Sequence, residues 1–253
     1  LGFHEVGVRP RYYSDGEDAL IMSAPLSLLS DKRVAGDRLD IRSHGADTGS
    51  RPIILAIESS CDETAAAVTD GDGGLLSDVV ASQIDFHARF GGVVPEIASR
   101  KHVEAICGVC DIALEQARVS SENLDAITVT QHPGLVGALV VGVAFAKGAS
   151  WALDVPLVGV NHLEGHLYAN KIGLDPYRPF EPPAVVSLVS GGNTMLVHMK
   201  GWGDYDILGA TIDDAVGEAF DKVAKALGLP YPGGPAISAL AEKGDPAAID
   251  LPR

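Results

Sequence analysis

The stretch that decides the fold is residues 53–69, IILAIESSCDETAAAVT, where two apolar runs flank a polar turn. Residues 53–57 and 65–69 have the length and composition of short strands, and residues 75–82 predict a third strand after them. Helices and strands then alternate. A run of strands followed by such alternation predicts an α/β fold with a mixed sheet.

The rest of the chain supplies the alternating elements. Strands are predicted over residues 126–130, 157–160, 184–189 and 194–198, and helices over residues 95–118, 135–153, 163–172, 213–227 and 235–243. The helix at residues 135–153 is apolar on nearly all sides, so we expect it to be buried.

Length and charge limit the class of protein. The chain has 253 residues, 46% of them hydrophobic, and a formal net charge of −15. Residues 1–52 hold 7 basic and 8 acidic side chains, so residues 53–253 hold 19 − 7 = 12 and 34 − 8 = 26, a net charge of −14. This acidity excludes a strongly basic nucleic-acid binder acting alone. It leaves open a nucleic-acid substrate held partly by other subunits.

No segment predicts a membrane span or a secretory signal. The apolar part of the longest uncharged stretch, residues 134–146, is too short to cross a bilayer. The first ten residues carry charges and no apolar core. Cys61, Cys107 and Cys110 form no disulfide framework. These features predict a cytoplasmic protein in a reducing compartment.

The start of the chain differs from the remainder. Residues 1–28 contain two strand-like runs around a turn at residues 14–16, and two strands alone are marginally stable. We therefore expect the end of a larger domain there. Residues 29–52 are polar and rich in turn residues, which predicts a linker to a domain at residues 53–253.

A pair of histidines is the first candidate for chemistry. His162 and His166 in the sequence HLEGH lie four residues apart, so on a helix they share one face, which suits two metal bonds. Glu164 is turned away from that face, whereas in the zinc-protease motif the glutamate directly follows the first histidine. Two ligands do not complete a site, so a third must come from elsewhere. Two solvated helix histidines are the alternative.

Three further stretches could hold a ligand. The LVSGG turn at residues 188–192 and the PGGP turn at residues 232–235 have glycines that allow backbone N–H groups to approach a phosphate, although tight turns explain them equally well. The polar turn at residues 58–64 could hold a phosphate-bearing ligand or its metal, or be an ordinary acidic hairpin. Asp221, within a predicted helix, could bond a ligand hydroxyl or be a solvated acid.

Together these stretches resemble the TsaD family of tRNA N6-adenosine threonylcarbamoyltransferases, formerly called Gcp. Six blocks in order carry the resemblance: residues 57–64 (IESSCDET), 90–102 (FGGVVPEIASRKH), 133–139 (PGLVGAL), 162–167 (HLEGHL), 188–194 (LVSGGNT) and 212–234 (IDDAVGEAFDKVAKALGLPYPGG). The resemblance implies an actin-like ATPase fold of the sugar kinase–heat-shock–actin class, with the first lobe and part of the second. It also implies transfer of threonylcarbamoyl from threonylcarbamoyl-AMP to N6 of adenine 37 in tRNAs that read ANN codons.

The resemblance also implies roles by position. His162 and His166 would be ligands of Fe²⁺, with Zn²⁺ or Mg²⁺ as alternatives, and Asp62 and Glu63 would lie at the mouth of the reaction site as catalytic residues. Substrate binding would fall to Leu188, Val189, Ser190, Gly191, Gly192, Asp221 and Gly234. The implied partners are tRNA and proteins like TsaB and TsaE. His132 and Asn193 depart from the glycine and histidine usual in the family.

Both ends of the chain carry expectations. Family members continue past residue 253 into a lobe with an Asn for the nucleotide and an Asp for the metal, so we expect the chain as given to be weakly active or inactive. Residues 1–28 resemble the C-terminal end of RimI-type N-acetyltransferases. We therefore expect a fragment of a RimI–TsaD fusion, with no acetyltransferase site assigned.

Two other functions stay open from the sequence. A non-catalytic nucleotide-binding scaffold of the TsaB type lacks the metal histidines, which this chain keeps. A metallopeptidase, the activity in an old family name, is disfavoured by the position of Glu164.

Overall fold

The computed structural model describes residues 4–9, 19–23, 51–71, 73–172, 180–245 and 247–249, and divides the chain into two units, Leu1–Asp40 and Ile41–Arg253. In the first unit, β1 (His4–Arg9) pairs antiparallel with β2 (Ala19–Ser23), as the two strand-like runs predicted. That this pair ends an acetyltransferase domain stays a prediction. The predicted linker at residues 29–52 lies outside the described residues except for its last two positions.

A five-stranded mixed sheet begins the second unit. Its strands are β3 (Ile53–Glu58), β4 (Glu63–Asp70), β5 (Leu75–Ser82), β6 (Ala126–His132) and β7 (Leu157–Asn161), in the order β5-β4-β3-β6-β7. β4 runs antiparallel to β3 and β5, and β6 runs parallel to β3 and β7. The stretch at residues 53–69 therefore supplies the central strand and the turn at its carboxyl end.

Helices cover this sheet between β5 and β7. The short α1 (Ile84–His87) leads to α2 (Pro95–Ala117), which packs against β4 and β5. α3 (Val136–Leu153) packs beside α2 and against β6. Their shared core consists of Leu55, Ile57, Ala66, Val68, Ile106, Val109, Cys110, Ala113, Leu124, Ile127, Val129, Ala146 and Val155.

The expectation that the apolar helix α3 is buried was wrong. Only small residues, Ala138, Gly142 and Ala146, face the interior fully, while Trp151 is 87% exposed. An apolar composition on all sides does not say how many sides are covered, and here small residues let one side approach the sheet closely. Within the described ranges, α3 is the one helix long and apolar enough to cross a membrane, which is weak evidence for a span.

Replacing either of two glycines of α3 by alanine should change the stability of the chain, in opposite directions. A Cβ on Gly142 would lie 2.4 Å from the Oγ of the buried Ser59, whereas a Cβ on Gly148 meets nothing within 4 Å. We expect Gly142→Ala to destabilise the chain by roughly 1–2 kcal/mol and Gly148→Ala to stabilise it by roughly 0.5–1 kcal/mol. Urea denaturation of both variants measures the difference. Equal midpoints would contradict the close contact between α3 and Ser59.

A second, antiparallel sheet follows. α4 (His162–Tyr168) connects the first sheet to β8 (Ala184–Val189), β9 (Thr194–Gly201) and β10 (Asp204–Ala210), which lie in the order β10-β9-β8. α5 (Val216–Ala226) and α6 (Gly233–Ala241) pack on each other after it. The α/β fold that the sequence predicted is confirmed. β10 was not predicted, because its Asp and Gly residues are unfavourable in strands and its pairing with β9 stabilises it.

α4 contacts the second sheet through its apolar side. Leu167 is buried in one cluster with Leu188, Val197 and Met199, and Leu163 packs at its edge. The helix that carries both histidines is therefore packed against the strand that leads into the glycine turn at residues 188–192.

Candidate functional site

The two histidines converge, as their spacing predicted. Asn161, the last residue of β7, begins α4, and its Oδ1 accepts the backbone N–H groups of Leu163 and Glu164 at 2.8 and 3.2 Å. His162 then stands in the first turn and His166 in the next. Their Nε2 atoms are 3.1 Å apart, with ring centroids separated by 4.6 Å.

A carboxylate that the sequence reasoning missed lies behind this pair. Glu58 ends the central strand β3, and its Oε2 is 3.0 Å from Nδ1 of His162. The same oxygen accepts the hydroxyl of Thr130 at 2.7 Å, while Oε1 accepts the backbone N–H of Ser60. The sequence signal for Glu58 was a charged residue at the carboxyl end of an apolar strand. Ligand sites of α/β proteins lie at the carboxyl ends of the strands.

These contacts decide the charge of Glu58. Burial alone would raise the pKa of its carboxyl group, but the hydrogen bonds from His162, Ser60 and Thr130 outweigh burial and lower the pKa to about 2. Glu58 is therefore an anion at neutral pH. An anion in this place can stabilise a cation that binds at the histidine pair.

The donor set fits a transition metal. Desolvation, and then the neighbouring His162, lower the pKa of His166, which favours the neutral imidazole that binds metals. In a tetrahedral site with metal–nitrogen bonds of about 2.0–2.1 Å, two ligand nitrogens lie roughly 3.3 Å apart. The Nε2 atoms at 3.1 Å are close to that separation. In the part of the chain that the structure describes, no group of three metal-ligating side chains occurs.

Asp62 and Glu63, predicted as catalytic residues, follow β3: Asp62 lies in the turn, and Glu63 is the first residue of β4. Among the described residues, no hydrogen bond or ion pair joins either side chain to His162 or His166. The buried His102 fixes the turn, since its Nε2 is 3.0 Å from the carbonyl oxygen of Cys61 and its Nδ1 is 2.7 Å from Oγ1 of Thr64.

Cys61 in the same turn is exposed, but its surroundings disfavour the thiolate form. Desolvation of the thiol, and then the negative charge of Asp62, raise the pKa of Cys61 to about 12. The thiol therefore stays protonated at neutral pH, whereas a nucleophilic cysteine needs its thiolate form.

Two hydrogen bonds to the start of α5 fix the glycine turn at residues 188–192. The carbonyl oxygen of Ser190 accepts the N–H of Gly217 at 3.2 Å, and Oγ1 of Thr194 accepts the N–H of Val216 at 2.8 Å. The first N–H groups of α5 are therefore already paired. The N–H groups of Gly191 and Gly192 donate no hydrogen bond to any described residue, so they can bind an anion.

Asp221 contacts Gly233, the residue before Gly234. Oδ1 of Asp221 accepts the N–H of Gly233 at 2.7 Å at the start of α6, and a Cβ on Gly234 would meet nothing within 4 Å. Asp221 also lines a cavity of about 140 Å³ with Ala88, Gly91, Lys225, Leu229, Pro230 and Tyr231. Burial, and then the charges of Asp62 and Asp221, raise the pKa of Tyr231.

Comparison with known proteins decides the family. The sequence profile described as "TsaD: tRNA N6-adenosine threonylcarbamoyltransferase" matches residues 74–253. The chain belongs to the TsaD family. A curated relative of that name from Clostridium novyi (strain NT) is 60% identical over 200 residues, 79% of this chain and 58% of the relative. One from Clostridium perfringens (strain SM101 / Type A) is 57% identical over 204 residues, 81% of this chain and 59% of the relative. The chain thus spans less than three fifths of these TsaD relatives.

Solved structures give more distant matches. A Pseudomonas aeruginosa protein described as similar to the peptidase YEAZ aligns with a TM-score of 0.42 and 17% identity, covering 62% of this chain and 64% of its own. The PPX-GPPA enzyme of Aquifex aeolicus aligns with a TM-score of 0.36 and 13% identity, covering 63% of this TsaD family chain and 51% of its own.

Proposed function

We propose that this chain carries the metal- and nucleotide-binding part of a tRNA N6-adenosine threonylcarbamoyltransferase. The reaction would move threonylcarbamoyl from threonylcarbamoyl-AMP to N6 of adenine 37 in tRNAs that read ANN codons. The observation that supports this most is the converging pair His162 and His166 with the Glu58 carboxylate behind it. A TsaB-type scaffold has no use for such a pair.

His162 and His166 would hold the metal, for which we propose Fe²⁺ with Zn²⁺ as the alternative. Two imidazole ligands suit these ions better than Mg²⁺, which prefers oxygen ligands and water. Bound there, the metal would supply Lewis-acid polarisation of the carbamoyl carbonyl.

The adenylate would be held by residues that follow α4 in the chain. We propose that Leu188–Gly192 supplies backbone N–H groups, from Gly191 and Gly192, to its phosphate, and that Asp221 and Gly234 bind its nucleoside. Asp62, and Glu63 beside it, would border the site where the adenine amine enters. An exocyclic amine is a weak nucleophile, so we expect positioning to carry much of the catalysis.

The family resemblance implies the partners, and the charge of the chain agrees with a need for them. With a net charge of −15, the chain offers little attraction to tRNA phosphates by itself. We propose that TsaB- and TsaE-like proteins join it and contribute positive surface, and that the assembly acts in the cytoplasm.

A metallopeptidase gains no support from the geometry. Oε1 of Glu164 accepts the hydroxyl of Tyr205 at 3.3 Å, and no contact among the described residues joins Glu164 to the histidine pair. In a metallopeptidase, Glu164 would have to act as the general base and reach a water bound at the histidine pair.

A reconstituted transfer assay tests the proposal. The chain, TsaB- and TsaE-like partners, Fe²⁺, threonylcarbamoyl-AMP and unmodified tRNA are combined, and the nucleosides are separated by mass spectrometry. We expect slow formation of threonylcarbamoyl-adenosine, with the Clostridium novyi relative as the reference for rate, and none with the variant His162→Ala/His166→Ala. Product that forms equally with this variant would contradict the proposed metal role, and transfer as fast as that of the relative would contradict the expected weak activity.

A further inference from the structure

We infer that Glu58 is the positioning residue of the histidine pair: it fixes the ring proton of His162 on Nδ1, so that Nε2 offers its lone pair beside His166. The inference rests on the metal role proposed above and adds a residue to it. Glu58 would touch neither the metal nor the substrate, and would act only through His162.

The hydrogen bonds around Nδ1 of His162 require a proton on that nitrogen. Oε2 of Glu58 is 3.0 Å from this nitrogen and Oγ of Ser60 is 3.1 Å from it. A carboxylate accepts hydrogen bonds and cannot donate them, so Nδ1 must carry the proton. Were Nδ1 bare, two lone pairs would face each other across 3.0 Å.

That proton arrangement determines the other side of the ring. A neutral imidazole protonated on Nδ1 has a free lone pair on Nε2. With His162 in this neutral form, His166 would donate from its Nε2 to this lone pair across the 3.1 Å that separates the two atoms. A metal ion would take the place of that proton, which is how a carboxylate behind a histidine prepares it as a ligand.

The carboxylate is itself held from β6 and from the turn that follows β3. Thr130 on β6 donates its hydroxyl to Oε2 at 2.7 Å, and the backbone N–H of Ser60 donates to Oε1. Thr130 is 4% exposed, so its contact with Glu58 is sheltered from water. Each oxygen of Glu58 thus has a fixed donor, and the carboxylate cannot turn away from His162 without losing one.

This arrangement makes Glu58→Gln a sharp test. The backbone N–H of Ser60 can only donate, so the amide oxygen must stay at the position of Oε1. The amide NH₂ group then faces Nδ1 of His162, which must become an acceptor. We therefore expect the ring proton of His162 to move to Nε2, the atom that should bind the metal.

Two measurements on the metal-free chain and its variants read this out. Long-range ¹H–¹⁵N spectra of histidine-labelled protein report which ring nitrogen of His162 is protonated, and titration with Zn²⁺ gives the dissociation constant. We expect Nδ1–H in the wild type, Nε2–H in Glu58→Gln, and a loss of Zn²⁺ affinity of about 10–100-fold in that variant.

A matched control separates positioning from general damage. Glu164→Gln also replaces a carboxylate by an amide, but on α4, where the partner of that carboxylate is Tyr205. This variant should keep the wild-type tautomer and bind Zn²⁺ within about threefold, since it does not change what faces Nδ1.

The outcomes distinguish the two claims. A bare Nδ1 in wild-type His162 overturns the inference without any variant, even if Glu58→Gln fails to fold. A folded Glu58→Gln that keeps the wild-type tautomer and Zn²⁺ affinity also overturns it. Absence of Zn²⁺ binding by a wild type with Nδ1–H counts instead against the proposed metal role.

Discussion

Replacing both His162 and His166 by alanine is expected to lower the affinity for Zn²⁺ or Fe²⁺ by more than about 100-fold, because it removes both nitrogen donors that face the same point. Their Nε2 atoms lie 3.1 Å apart, and no group of three metal-ligating side chains occurs among the described residues to replace them. Isothermal titration of the metal-free variant measures the loss. His198→Ala, on β9 of the second sheet, is the matched control and should bind metal like the wild type.

The double variant also separates two functions. Its adenylate binding should persist, because the turn at residues 188–192 is built by β8, β9 and α5 and not by the histidines. Metal binding that survives in the double variant would place the metal elsewhere. Joint loss of metal and adenylate binding would contradict two separately built sites.

The second large effect is expected at Gly217. A Cβ there would lie 2.5 Å from the carbonyl oxygen of Ser190 and 2.8 Å from Cα of Gly191, both backbone atoms that cannot rotate away. Gly217→Ala should therefore displace the turn, lower the free energy of unfolding by about 1–3 kcal/mol, and weaken binding of a non-hydrolysable adenylate analogue by at least about tenfold, or roughly 1.4 kcal/mol.

Gly209→Ala is the control for this change. It lies on β10 in the same half of the chain, and a Cβ there meets nothing within 4 Å. Thermal unfolding and fluorescence titration with the analogue should separate the two variants. If Gly217→Ala binds the analogue as tightly as Gly209→Ala, the turn does not hold the adenylate.

Local patterns in the sequence predicted much of the fold. Apolar runs with a polar turn between them predicted β3 and β4, and a proline in the first turn predicted the start of α2. The exposure of Trp151 on α3 was not predictable, because it depends on which neighbours cover a helix. Nor was β10, whose residues become a strand only through pairing with β9.

The candidate site divides in the same way. The spacing of His162 and His166 predicted their convergence, since four residues make about one helical turn. The role of Glu58 was missed, because its partner His162 lies 104 residues further along the chain and only the sheet brings them together. Asp62 and Glu63 came from family resemblance, and their catalytic role stays a proposal.

A metal bound at the proposed histidine pair would also stabilise the folded chain. Glu58 closes β3, Thr130 lies on β6 and His162 follows β7, so the carboxylate, its hydroxyl donor and the imidazole meet only when three neighbouring parallel strands are in register. An unfolded chain has no such arrangement of side chains. The proposed metal would therefore bind only the folded chain, at the carboxyl ends of these strands. By mass action, metal at about 100 times its dissociation constant would then stabilise the native chain by about 2.7 kcal/mol. A cell short of the metal would hold this domain in a more easily unfolded and degraded form.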